Sequence, residues 1–271
     1  MRERVQKMLA REGYGSRREI ERWIRAGRLA INGETAVLGA LVGSADRVEL
    51  DGRALRTRRP VTGPDRCIMY NRPPGESLEP DAEPPSQIFA VLPKRAGRRW
   101  IFLSPMHPSD SGLELLTTDG ALASTLMRRA STLGARFAVR VRGEASPEQL
   151  AQISAGRLDD GSELGSVTVE AGGGEAANRW YEISLPTPRA TAARRLFTLA
   201  GLEVSRLIRV AYGPIAMDSG LTRGRHRELN ASELKSLYAV ADIDPPQPTA
   251  SGQGKSAQRP APRRKRALRR D

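Results

Sequence analysis

The 271-residue sequence has few of the side chains that cross-link small proteins or bind metals. Its single cysteine, Cys67, excludes an intramolecular disulfide and any metal site built from several cysteines. Two histidines, His107 and His226, leave little from which to build a histidine-ligated centre. We therefore expect no metal site, and we expect Cys67 to be a small buried hydrophobe.

Long apolar runs are missing as well. The longest uncharged apolar stretch covers residues 35–45, whereas a helix that spans a membrane needs about 20 such residues. We expect a soluble chain without a membrane partner, in a reducing compartment such as the cytoplasm. The length is typical of about two domains, each able to bury an ordinary core.

Excess charge of one sign is confined to the two ends of the chain. The formal net charge is +13, of which residues 1–60 carry +6 and residues 245–271 carry +7, while residues 61–244 are neutral. A polyanion is the natural partner of such ends, because each phosphate that is neutralised releases counterions. No segment pairs a basic face with a bulky apolar one, as membrane-surface helices do, so we favour nucleic acid over anionic lipid.

Residues 244–271 form a separate segment that is rich in proline and contains the basic run PRRKRALRR. The segment has almost nothing to bury, which predicts disorder. Two interpretations stay open for it. It is either a tail that keeps the chain soluble or a non-specific arm that binds RNA.

Residues 1–60 have the pattern of two helices followed by a hairpin. Val5, Met8 and Leu9 fall on one face of a first helix. Ser16 and Glu19 form a capping box ahead of a second helix. Ile20, Trp23 and Ile24 form the apolar face of that helix, and Gly27 ends it. A strand at residues 28–31, a tight turn at Asn32-Gly33 and a closing strand with Val48 and Leu50 complete the pattern.

The string SRREIERWIRAGRLAING in this region resembles the S4 domain, an RNA-binding module named after the fourth protein of the small ribosomal subunit. In that family a basic helix face binds structured RNA. The resemblance implies RNA contacts for Arg17, Arg18, Arg25 and Arg28, although a run of charges on a helix is also typical of a solvated face. We assign residues 1–60 to an S4 domain.

Residues 61–243 alternate between strand and helix patterns. Phe137, Val139 and Val141 alternate with arginines, as in a strand with one buried face, and these arginines either line a cleft or form the solvent face. Helix patterns are found at residues 121–130, 147–155 and 192–200. Asn230 and Glu233 form a further capping pair. The predicted fold class is α+β, with a mixed, largely antiparallel sheet behind the small N-terminal domain.

These strings, in this order and after an S4 domain, resemble the RsuA/RluB branch of the ribosomal-RNA pseudouridine synthases. The strings that carry the resemblance include CIMYNRPPGE, SGLELLTTDGALASTLM, NRWYEISL and VSRLIRVAYGPI. The resemblance implies that a uridine of folded RNA is flipped into a cleft, that its glycosidic bond is cut, and that the base is rejoined through carbon five. It also implies a partner that is structured RNA, ribosomal or precursor, and no cofactor or metal. We expect a monomer.

The active-site strand of that family has the pattern Gly-Arg-Leu-Asp-x-x-Thr-x-Gly-Leu, and this sequence departs from it. Alignment on Gly112-Leu113 places His107 at the catalytic aspartate position and Asp110 at the threonine position. The family tyrosine that packs on the target base is replaced by Phe137. The arginine that pairs with the aspartate is retained as Arg194, which implies that His107 lies beside it.

These departures bear on the chemistry. A carboxylate opposes the positive charge that develops on the sugar as the glycosidic bond breaks, and a neutral imidazole does not. We therefore predict an RNA-binding member of the family whose catalytic site is degenerate. The alternative is an active pseudouridine synthase with a rearranged site. A nucleophilic triad drawn from Ser104, His107, Ser109 and Asp110 is disfavoured, because closeness in sequence says nothing about triad geometry.

Overall fold

The structure is a computed structural model that describes residues 2–43, 45–55, 65–78, 87–92, 100–131, 133–174 and 178–244. The predicted domain boundary between residues 60 and 61 lies outside these ranges. So does the predicted tail, apart from Asp244.

The N-terminal unit consists of two helices, a four-stranded antiparallel sheet and a separate pair of short strands. Its elements are β1 (Glu3–Arg4), α1 (Val5–Arg11), α2 (Arg17–Arg25), β2 (Leu29–Ile31), β3 (Glu34–Thr35), β4 (Leu41–Val42), β5 (Val48–Leu50) and β6 (Arg53–Ala54). The sheet has the order β3-β2-β5-β6, and β1 pairs with β4. The apolar faces of both helices pack with this sheet in one core.

Local signals in the sequence account for this unit. Ser16 Oγ accepts a hydrogen bond from the Glu19 amide, and Glu19 Oε2 accepts one from the Ser16 amide, both at 3.1 Å. The predicted capping box is thus present at the start of α2. Asn32 and Gly33 both have positive φ, as the tight turn between β2 and β3 requires.

The larger body is a nine-stranded sheet with helices packed against it. Its elements are β7 (Cys67–Arg72), α3 (Gln87–Val91), β8 (Ile101–Phe102), β9 (Ser111–Thr117), α4 (Gly120–Arg128), β10 (Ala135–Arg142), α5 (Pro147–Ser154), β11 (Thr168–Ala171), β12 (Asn178–Leu185), α6 (Ala190–Leu199), β13 (Val204–Tyr212), β14 (Ile215–Ala216), β15 (His226–Glu228) and α7 (Ala231–Ala241).

The main path of this sheet has the order β11-β12-β10-β13-β9-β7-β15, with β14 beside β13 and β8 beside β9. Within the described part of the chain, the pair β13–β9 is parallel and the other pairs are antiparallel. The prediction of an α+β body with a mixed, largely antiparallel sheet is confirmed.

The two faces of β10 have different environments. Phe137, Val139 and Val141 are fully buried in a core that includes α5 and α6, whereas Arg136 and Arg142 are exposed. Because successive side chains of a strand point to opposite faces, the arginines lie on the face away from α6. They therefore form the solvent face of the strand.

Candidate functional site

The candidate site is built around the loop of residues 103–110, between β8 and β9. The Asp110 amide donates to the His107 carbonyl at 2.9 Å, so the chain turns just before β9 begins. His107 and Ser109 are exposed, whereas Asp110 retains only 1% of its accessible surface. The turn thus presents the histidine to solvent and buries the aspartate.

Arg194 on α6 is paired with Asp110. Its Nη2 lies 2.5 Å from Asp110 Oδ1, and its Nη1 donates to the Val204 carbonyl at 3.3 Å. The Arg194 side chain is 33% exposed and the Asp110 side chain 1% exposed, so the ion pair presents its cation to solvent. The resemblance implied that Arg194 lies beside His107, the residue at the family's aspartate position. In the structure Arg194 instead binds the carboxylate of Asp110, three residues later.

Ser109 lies between His107 and Asp110. Its Oγ is 2.9 Å from His107 Nδ1 and 3.4 Å from Asp110 Oδ1, and its amide donates to His107 Nδ1 at 3.3 Å. In a nucleophilic triad the histidine stands between the nucleophile and the carboxylate. Here the serine occupies the middle position, so the three side chains are not arranged as a nucleophilic triad.

Phe137 is fully buried on the same side of the sheet as α6. It shares a core with Met106 of the loop and with Ala193 of α6. Its ring contributes an apolar wall close to the candidate site and offers no hydroxyl group. Arg136, next to it in sequence, pairs with Glu182 at 2.9 Å on the opposite face.

A cluster of buried charges lies under the loop. Glu114 on β9, Arg72 on β7 and Arg209 on β13 have no accessible surface. Arg209 Nη2 donates to Glu114 Oε2 at 2.7 Å, and the Met106 amide donates to Glu114 Oε1 at 3.0 Å. Burial raises the pKa of Glu114, while the attraction of Arg209 and Arg72 opposes that rise.

The two buried arginines hold the backbone of the loop in place. Arg72 donates to the loop carbonyls of Met106, His107 and Asp110, at 3.0, 2.5 and 2.7 Å. Arg209 donates to the loop carbonyl of Ser104 at 2.9 Å, and to the carbonyls of Leu113 and Pro188 in neighbouring segments at 2.7 and 3.2 Å. Arg72 Nε, 3.7 Å from Glu114 Oε1, has no hydrogen-bond partner among the described residues. The cluster therefore fixes the turn that carries His107 and Asp110.

Gly112 lies where the β9 backbone comes closest to the β13 backbone. Its φ is +99°, and a Cβ at this residue would lie 2.4 Å from the carbonyl oxygen of Arg209. Because β9 and β13 are parallel neighbours here, only glycine fits against the β13 backbone.

The four arginines proposed as RNA contacts are all exposed but differ in their partners. Within the described ranges, Arg17 and Arg18 have no acidic partner. Arg25 lies 3.9 Å from Glu21. Arg28 donates to both carboxylate oxygens of Asp51, at 2.8 and 2.5 Å, so its guanidinium is already occupied.

The sequence did not identify three important residues of the site, namely Arg72, Glu114 and Arg209. A signal for them exists, because Glu114 and Arg209 interrupt the apolar runs of two strands. A charge inside an apolar strand calls for a buried partner. Arg22, on the same face of α2 as Arg18 and Arg25, is a further exposed cation that was not assigned a contact.

The described residues contain neither a metal-ligating cluster nor a membrane-spanning helix. No group of three or more His, Cys, Asp or Glu side chains in these residues is placed to hold a metal ion. None of the helices in the same ranges is long and apolar enough to cross a bilayer.

Comparison with known proteins places the fold in a class. The S4 domain family matches residues 3–48. A solved pseudouridylate synthase has a TM-score of 0.57 and 21% sequence identity, over 86% of this chain and 99% of that one. The molecule has a pseudouridine synthase fold behind an S4 domain.

Two curated relatives narrow the class to a family. Ribosomal large subunit pseudouridine synthase B of Pseudomonas aeruginosa is 40% identical over 90% of this chain and 64% of its own length. The protein with the same description from Salmonella typhimurium is 38% identical over 90% of this chain and 85% of its own. The chain belongs to this family of ribosomal large subunit pseudouridine synthases, as the sequence predicted.

Proposed function

We propose that this chain binds structured ribosomal RNA and has lost the isomerisation for which its relatives are named. The observation that carries the proposal is the burial of the two carboxylates nearest the loop. Asp110 ends the loop, and Glu114 lies on the strand that follows it. They retain 1% and 0% of their surface, and each is in an ion pair with an arginine.

The chemistry needs a negative charge that the substrate can meet. The sugar becomes cationic as its glycosidic bond breaks, and a preorganised carboxylate is the group that stabilises this charge. The charge of Asp110 is matched by Arg194, whose exposed guanidinium is the group that a ligand meets first. His107, at the family's aspartate position, supplies no carboxylate, and loss of such a group costs orders of magnitude in rate.

The RNA-binding part of the proposal rests on cations that remain available. Arg17 and Arg18 are exposed at the start of α2, where the positive end of the helix dipole adds to their attraction for phosphate. The proposed organisation is an S4 domain at residues 1–60, a synthase-like body at 61–243 and a basic tail at 244–271 that adds sequence-independent affinity. The chain acts as a monomer on ribosomal RNA or its precursor in the cytoplasm, without a cofactor.

A second function has one observation in its favour. Asp110 and Arg194 form a carboxylate–arginine pair, the same pair of groups that the family resemblance implies for the catalytic aspartate and its arginine. In this alternative the enzyme is active with Asp110 in the role of the aspartate. Catalysis then requires Arg194 to move aside, so that the carboxylate reaches the target nucleotide.

Pseudouridine maps of ribosomal RNA from a deletion strain and its parent test both functions. Under the proposal the two maps are identical, while crosslinking recovers ribosomal RNA on the protein. A pseudouridine that disappears on deletion and returns with the wild-type gene would overturn the loss of activity. Complementation by His107→Ala but not by Asp110→Asn would then assign the reaction to Asp110.

The single substitution His107→Asp provides a second test. Because Phe137 and the residues before Arg194 also differ from the family pattern, we expect this variant to remain far below the turnover of a typical family member. Full turnover on ribosomal RNA would show that the aspartate position alone had been lost.

A further inference from the structure

Three side chains form a row across the sheet on the face opposite to the candidate site. Arg140 on β10 is the direct register partner of Trp180 on β12 and, on its other side, of Arg206 on β13. Directly opposed residues of antiparallel strands share a face. Phe137, three positions before Arg140, points to the other face, where α6 and the loop lie.

A β-bulge holds the central arginine in position. Ser205 is the extra residue of β13 between the partners of Arg140 and Val141. Its hydroxyl accepts from Arg140 Nε at 2.9 Å and donates to the Arg140 carbonyl at 3.0 Å. The Arg140 guanidinium carbon is thereby placed 5.9 Å from the centre of the Trp180 ring. Its two terminal nitrogens make no hydrogen bond or ion pair with the described residues.

The charges of this row are not balanced within the described part of the chain. Other arginines of β10 are paired, Arg136 with Glu182 at 2.9 Å and Arg142 with Glu203 at 3.1 Å. Arg140 and Arg206 have no acidic partner there and face each other directly. Like charges in directly opposed positions destabilise a sheet, so this arrangement favours an external anion between them.

The acidic residues on the same face of the sheet limit where a phosphate can bind. Glu170 on the edge strand β11 is directly opposed to Glu182 on β12, and the charge of Glu182 is matched by Arg136 on β10. Glu170 therefore leaves negative charge at the β11 edge, so phosphate is attracted toward β10 and β13 instead. Ala138, the neighbour of Arg140 on this face, adds only a methyl group beside the row.

We propose that Trp180, Arg140 and Arg206 bind an unpaired stretch of RNA that flanks the folded target. Neighbouring strands are about 4.8 Å apart, so one phosphate can contact both guanidinium groups. The Trp180–Arg140 pair offers a flat surface for a base, and only unpaired nucleotides expose a base face for stacking. The inference builds on the RNA binding proposed above but concerns a different surface.

Two RNA probes test the proposal with the full chain. One is a hairpin of about ten base pairs, and the other is the same hairpin flanked by about eight unpaired uridines at each end, a length typical of single-strand sites. We expect the flanked hairpin to bind about tenfold more tightly, because base stacking and phosphate contacts add to the affinity. The double variant R140Q/R206Q should lose this gain and keep its affinity for the unflanked hairpin.

The variant R136Q/R142Q is the matched control. It removes the same charge from the same face of the sheet, but from arginines that are paired with glutamates, and it should keep most of the gain. Trp180→Phe should retain the gain and Trp180→Leu should lose it, because only the aromatic ring can stack. Thermal unfolding of R140Q/R206Q should show no loss of stability, since the substitution relieves a like-charge contact.

Each contrary result has a distinct meaning. Equal affinity of the wild-type chain for the two hairpins would overturn this proposal and leave RNA binding intact. If R140Q/R206Q and R136Q/R142Q lost the extra affinity for the flanked hairpin equally, general surface charge would account for that affinity, and the proposal would be overturned. Displacement of the flanked probe from the row by poly-glutamate at the same concentration as by poly-uridine would point to an acidic protein partner instead. Failure to bind either hairpin would overturn both this proposal and the proposed function.

Discussion

Arginines under the candidate loop and arginines on α2 are used in opposite ways. Arg72 and Arg209 have no accessible surface, both donate to loop carbonyls, and Arg209 also donates to Glu114. Arg17 and Arg18 are exposed, and no acidic side chain in the described residues neutralises them. The buried pair determines the shape of the loop, while the exposed pair keeps its charge available for a ligand.

The energetic reason for this difference is the cost of removing a charge from water. An ion that is buried without full compensation costs several kcal/mol, so a buried arginine must be surrounded by acceptors. An exposed ion keeps its hydration, and a surface ion pair contributes about 0–1 kcal/mol. Substitutions in the buried cluster should therefore change folding stability, and substitutions on α2 should change RNA affinity.

The largest effect is expected for Glu114→Leu. The substitution leaves Arg72 and Arg209 buried without their carboxylate and removes the acceptor of the Met106 amide. We expect the free energy of unfolding to fall by about 3–5 kcal/mol, as is typical when one partner of a buried ion pair is removed. Urea unfolding followed by circular dichroism measures this change.

Glu182→Leu is the control for that experiment. Glu182 pairs with Arg136 at 2.9 Å on the solvent face, and its side chain is about half exposed. We expect a change of no more than about 1 kcal/mol. Equal losses in the two variants would contradict the distinction between buried and exposed charge.

The next largest effect concerns the backbone contact beside the cluster. Gly112→Ala would bring a Cβ within 2.4 Å of the Arg209 carbonyl oxygen at a φ of +99°. We expect a loss of about 2–4 kcal/mol, from overpacking and from the positive φ together. Gly52→Ala is the control, because Gly52 also has a positive φ, +73°, but its added Cβ would meet nothing within 4 Å. A loss of about 1–2 kcal/mol is expected there, and a similar loss at Gly112 would contradict the close approach.

The sequence predicted the features that depend on near neighbours. The capping box of Ser16 and Glu19 and the turn at Asn32-Gly33 are written within a few residues, and both are present. The alternation around Phe137 predicted the buried face of β10. The strand and helix patterns of residues 61–243 predicted the largely antiparallel sheet.

The contacts of the candidate site join residues far apart in sequence, and local patterns do not encode them. Arg194 and Asp110 are 84 positions apart, and Arg209 and Glu114 are 95 positions apart. The alignment therefore located the loop without showing which of its residues meets Arg194. The unusual position of Glu114 in an apolar strand indicated a buried partner but not its identity.

For the exposed arginines of α2, the expected effect is on RNA binding. The double variant R17Q/R18Q should bind structured ribosomal RNA about tenfold more weakly at physiological salt. The slope of log affinity against log salt should fall by about 1.4–1.8, as expected for two lost phosphate contacts. Stability should be unchanged, since both side chains are exposed. Filter binding over a salt series measures both quantities. The control R142Q/R157Q removes two arginines that are paired with glutamates, and an equal loss there would reduce the effect to overall charge.

The smallest effect is expected at Arg28, which is exposed like Arg17 but paired like Arg209. Both carboxylate oxygens of Asp51 accept from its guanidinium, at 2.8 and 2.5 Å, so a phosphate must compete with an existing bidentate partner. Arg28→Gln should therefore weaken RNA binding by only about twofold, less than the loss from either arginine at the start of α2. Asp51→Asn makes the argument sharper, because it frees Arg28 without changing it and should strengthen RNA binding. If Arg28→Gln instead matched the full loss of R17Q/R18Q, exposure rather than pairing would decide which arginines of this domain bind RNA.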